Sequence, residues 1–75
     1  MSLLEVPVYL VRMAEELKQL QDRVGKLSKF IESDRFKELI RHRQELMLNQ
    51  LKAMEVYLSA LSTRYLLELR DREPG

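Results

Sequence analysis

Seven apolar residues, Leu10, Met13, Leu17, Leu20, Val24, Leu27 and Ile31, recur at alternating steps of three and four. A strand repeats every two residues, so only an α-helix gathers this set onto one face. A second set, Ile40, Gln44, Met47, Leu51, Met54, Leu58, Leu61 and Tyr65, steps by four and three in the same way. Two heptad seams in one chain predict two long helices, each burying one stripe against the other.

Local signals place the ends of these helices. Pro7 suits a first helical turn, where its missing N–H is not needed. Ser33-Asp34 offers a break and a new N-cap, with the acid favoured in the following turn. Arg70 and Arg72 suit a helix C-terminus, and Pro74-Gly75 would end it. The expected architecture is all-α, a single-domain antiparallel helical hairpin. Its helices run over about 7–31 and about 41–72, with a short helical turn over about 34–40 at the connection. Gly25 inside the first seam costs up to ~1 kcal/mol relative to alanine, which makes it a candidate point of close backbone approach.

The chain has 75 residues, and a core this small is marginal on its own. It has no cysteine and a single histidine, His42, so neither disulfides nor a zinc site can supplement that core. Self-association remains, and a compact homo-oligomer is expected. Neither a metal nor a cofactor is expected. Charged residues at 33% and hydrophobic ones at 45% exclude a disordered or membrane-spanning chain. The longest apolar run, Val8 to Val11, falls far short of the ~20 residues a bilayer requires. The first residues also lack the basic and apolar regions of a secretory signal. A net charge of +1 argues against DNA, RNA or membrane surfaces as general partners. Residues 18 to 43 nevertheless hold eight Lys/Arg against four Asp/Glu, a modest basic middle.

Beside each seam runs a second ordered stripe. On the first helix it reads Tyr9, Arg12, Glu16, Gln19, Arg23, Lys26 and Phe30, aromatic at both ends with three cations between. On the second it reads Leu46, Gln50, Ala53, Tyr57, Ala60, Arg64 and Leu67. Two readings stay open. These are either ordinary flanking positions that set partner choice and solubility, or a surface for an anionic, base-containing ligand. Aromatic faces stack on bases, and Arg or Lys neutralise phosphates. Catalysis is not indicated: the sequence has no Gly-rich phosphate loop, and His42 sits between Arg41 and Arg43 with no adjacent nucleophile.

The less generic residues carry a resemblance. The strings Tyr9-x-x-Arg12-Met13-x-x-Glu16, Lys26-Leu27-x-x-Phe30-Ile31, Ala53-Met54-x-x-Tyr57 and Leu61-x-x-Arg64 look like a small phage protein family. That family resembles the hairpin domain shared by phage anti-CBASS cyclic-oligonucleotide sponges and one class of anti-Thoeris sponges. The resemblance implies a compact oligomer, typically a hexamer, acting in the cytoplasm of the infected bacterial host. It would bind cyclic di- and trinucleotide second messengers between subunits without degrading them. Carried over by motif, Tyr9 would stack on a base and Lys26 would contact phosphate or base in a dinucleotide pocket. Ser28 and Arg64 would fall near a separate trinucleotide pocket.

Helix geometry adds a constraint. Tyr9 and Lys26 stand 17 residues apart, about 25 Å along one helix at ~1.5 Å per residue. A small cyclic ligand cannot reach both within one chain. Two first helices packed antiparallel about a two-fold near residues 17 and 18 would place Tyr9 opposite Lys26 of the partner subunit. Arg12 would then face Arg23 of the partner subunit. Three classes compete at this point: a nucleotide sponge, a structural or adaptor coiled-coil oligomer without a small ligand, and a helical nucleic-acid binder.

Overall fold

The computed structural model describes residues 6–71 and is built from helices alone. Helix α1 spans Val8–Ile31, the single turn α2 spans Asp34–Lys37, and α3 spans Arg41–Asp71. The positions assigned to a terminating Pro74-Gly75, and Arg72, lie outside the described residues. Pro7 is the N-cap of α1 rather than its first helical residue. Its carbonyl accepts from Val11 N–H at 3.3 Å, the first ordinary helical bond, and from Leu10 N–H at 3.0 Å, which occupies one of the orphan donors every helix start leaves.

The connection is tied together by few atoms. Ser33 caps α2, its hydroxyl accepting the Phe36 N–H at 3.4 Å. Phe36 is buried and meets Phe30 edge-on, with centroids 6.4 Å apart. The Gln44 amide reaches back from α3 to donate to the Phe36 and Leu39 carbonyls at 3.0 Å and the Lys37 carbonyl at 3.4 Å. The Phe36 carbonyl also accepts the Leu39 N–H at 3.1 Å, so the Gln44 amide ties the connection to α3 through backbone carbonyls that need partners.

From there α3 runs back along α1, antiparallel, so that Tyr9 meets Glu68 and Glu16 meets Tyr57. Met13, Leu20 and Leu61 form the buried cluster, with Leu17, Val24, Met54, Leu58 and Tyr65 packed around it. Leu10 is buried nearer the free end. Both seams therefore face inward, with the exception of Ile40.

Ile40 departs from the expected seam. It is 66% exposed, because it lies in the non-helical residue before α3 begins, where helical spacing no longer sets direction. The α2 helix also stops at Lys37, and residues 38–40 are non-helical rather than part of the short turn. Gly25 marks no close approach within the chain, since a Cβ added there meets nothing within 4 Å. Among the described residues, no helix is long and apolar enough to cross a membrane.

Candidate functional site

The hairpin buries one stripe per helix, so the stripe beside it remains outside. Arg12, Glu16, Gln19, Arg23 and Lys26 on α1 and Gln50, Ala53, Ala60 and Arg64 on α3 are all exposed. Tyr9 and Tyr57 are about half exposed, at 50% and 48%. Near the free end the two stripes converge across the helix interface.

There they form an open cleft of about 380 Å³, within the range of small-ligand sites. Tyr9, Arg12 and Glu16 come from α1; Tyr57 and Arg64 come from α3. Met13 and Leu61, both buried in the seam, supply its apolar base. The site is thus a by-product of the seam. Residues one position before each core residue are carried to one edge of the interface, where the antiparallel register matches them.

Two hydrogen bonds hold the aromatic rings. The Tyr9 hydroxyl donates to the Glu68 carboxylate at 3.1 Å, and the Tyr57 hydroxyl donates to Glu16. The Tyr57 phenol is pushed above its ordinary pKa, chiefly by its hydrogen bond to Glu16. Desolvation and the Glu16 charge act in the same direction, while Arg64 opposes them. The hydroxyls are therefore committed, but the ring faces remain available. Neither Arg12 nor Arg64 forms an ion pair with an acid among the described residues.

The candidate residues divide into two groups. Tyr9, Arg12 and Arg64 are brought together in the cleft. Arg23, Lys26 and Ser28 lie on the other half of α1, toward the connection. Lys26 is exposed and pairs with Asp22 at 3.8 Å, and Ser28 is half-buried, its carbonyl accepting the Glu32 N–H. In one chain Arg64 shares a site with Tyr9 and not with Ser28.

Glu16 and Tyr57 also line this site, and spacing along a single helix does not single them out. Each stands in the correct stripe, but only the cross-helix register puts them face to face. A second cavity of about 250 Å³ lies near the connection and is lined by Phe30, Leu39, Arg43, Leu46 and Met47. Its lining is apolar except for one cation. Among the described residues no group of three or more His, Asp or Glu is arranged to hold a metal ion.

A sequence-family model described as Sequestin matches residues 7–67, a span that includes both helical stripes and the whole cleft. The chain belongs to the Sequestin family. It is also similar to an uncharacterized 7.5 kDa protein from the denB-rIIB intergenic region of Enterobacteria phage T4. The two are 39% identical over 56 residues, covering 75% of this chain and 88% of the phage protein. Both matches agree with the phage sponge resemblance carried by Tyr9 through Arg64. No solved structure matches the chain significantly.

Proposed function

We propose that this chain is a phage immune-evasion protein that sequesters cyclic di- and trinucleotide second messengers in the infected bacterial cell. It holds them intact, in pockets completed between copies of itself. The family's name denotes sequestration, a binding role rather than a catalytic one, and the T4 relative fits a phage origin. The observation that carries the reading is the free-end cleft, where two half-exposed tyrosine rings stand beside two arginines that pair with no acid among the described residues. Rings of this kind stack on bases, and guanidiniums fork onto phosphate oxygens.

The cleft is open, so one chain covers a ligand on one side only. A second copy is needed to enclose it. In an antiparallel pairing of α1 helices, Lys26 of the partner subunit closes over Tyr9, and Arg23 of the partner subunit joins Arg12 on the phosphates. Ser28 and Arg64, remote within one chain, meet across copies to serve the larger trinucleotide ring, so that Arg64 stands on the border of both kinds of pocket. Assembly to a hexamer would repeat both kinds of pocket by symmetry.

The test is a calorimetric and thermal-shift screen against cyclic di- and trinucleotides. Heat denaturation and chromatography of the released ligand follow. Stoichiometric binding with intact ligand recovered supports sequestration. Assembly without affinity for any of these ligands would make the protein a structural or adaptor oligomer instead, and chemically altered ligand would make it an enzyme.

A further inference from the structure

Glu16 is out of place in a site built only for phosphate. Among the described residues it is the one carboxylate lining a cleft with two arginines, and its charge opposes the approach of any anion. Arg12 lies one helical turn before it, yet the two form no ion pair, and neither do Glu16 and Arg64. Glu16 is held instead by the Tyr57 hydroxyl, which donates to one carboxylate oxygen. An ionised carboxylate has about four lone-pair sites. One accepted hydrogen bond leaves ample capacity for two more donors.

We infer that Glu16 reads the base and selects guanine. The inference rests on the cyclic-nucleotide reading above and adds a specificity to it. With a base stacked on a tyrosine face and its phosphates on Arg12 and Arg64, the edge of the base is directed at whatever else lines the cleft. Guanine offers two adjacent donors on its pairing edge, N1–H and the N2 amino group, which match the two oxygens of a carboxylate. Adenine offers one donor, at N6, beside the N1 lone pair, which a carboxylate repels. Cytosine likewise sets its N3 lone pair beside the N4 amino group, and uracil flanks a single N–H with two carbonyls. Only guanine presents two parallel donors to an acceptor-only group. Tyr57 acts as the positioning residue, since its hydrogen bond fixes the carboxylate without occupying it.

The measurement is the affinity of the full chain for cyclic di-GMP and cyclic di-AMP, by calorimetry, before and after Glu16→Gln. Glutamine replaces one acceptor with a donor, which suits adenine and mismatches guanine. The wild-type protein should prefer cyclic di-GMP by about tenfold or more, the discrimination of a bidentate pair. Glu16→Gln should erase that preference by weakening cyclic di-GMP while leaving cyclic di-AMP unchanged or tighter. Circular dichroism of the variant checks that the hairpin persists. If Glu16→Gln disturbs it, Tyr57→Phe retains the carboxylate but releases it from its hydrogen bond, and should lower the preference for cyclic di-GMP over cyclic di-AMP; an unchanged preference would overturn the role of the Glu16–Tyr57 pair. Equal wild-type binding of the two ligands overturns the inference alone, as does a Glu16→Gln variant that weakens both alike. Binding of neither ligand overturns the sequestration of dinucleotides, and this inference with it.

Discussion

At the connection end, Phe36 packs edge-on against Phe30 and Gln44 spans three carbonyls, whereas at the free end two tyrosines stand half exposed over a cleft. At each end a few polar hydrogens are tied internally, the Gln44 amide at one and the Tyr9 and Tyr57 hydroxyls at the other. The difference lies in what is left over. Around the connection the remainder is an apolar groove with a single cation, Arg43. At the free end it is aromatic ring surface and two arginines that pair with no acid among the described residues. A hairpin with one closed end has its turn geometry settled there, and so its other end can hold exposed rings and cations that the turn does not require.

If stability and binding are divided between the ends in this way, substitutions should separate them. Leu61→Asp is the exception with the largest effect, because Leu61 is 4% exposed and serves both core and cleft. Placing an unpaired carboxylate there should cost about 4 kcal/mol or more. Circular dichroism should show the cooperative melt lost, and ligand binding should go with it. Phe36→Ala should cost about 3 kcal/mol of stability, seen as a lower urea midpoint. Its affinity for a free-end ligand should be unchanged where the protein is still folded; a parallel loss of affinity would break the division.

Tyr9→Ala is the mirror experiment. We expect it to remove about 2 kcal/mol of stacking from dinucleotide binding and to leave the urea midpoint nearly where it was. Unaltered binding would remove Tyr9 from the site. Gly25→Ala, between the two ends, should raise the urea midpoint by about 0.5–1 kcal/mol, since helix propensity improves and the added methyl meets open space. A loss of assembly in that variant would locate a close approach between copies instead.

The seams were legible from spacing because burial follows helical period. Leu10, Met13, Leu20 and Leu61 are all seam positions, and all are buried. Ile40 has the same spacing and fails, since the period says nothing about where the helix begins. Ser33 was readable as an N-cap because its chemistry is local. The burial of Phe36 was not, as it depends on Phe30 one turn before the break. Tyr9, Arg12 and Arg64 were legible as a type of surface, aromatic and basic at one helical step. That Arg64 stands with Tyr9, and Glu16 with Tyr57, follows from the register set by the connection. No pattern within a single helix contains that register.

The hairpin measures 56 × 17 × 15 Å, with a radius of gyration of 17.1 Å. A compact chain of this length would have a radius of about 11 Å. So slender a particle drags more than its mass suggests and would elute early from a sizing column, imitating a small oligomer while still a monomer. Copies laid side by side would thicken the two short dimensions first. Mass would then multiply while the radius of gyration, governed by the 56 Å length, grew slowly. Sedimentation or light scattering, read together with small-angle scattering, is therefore the sound way to count copies of this chain.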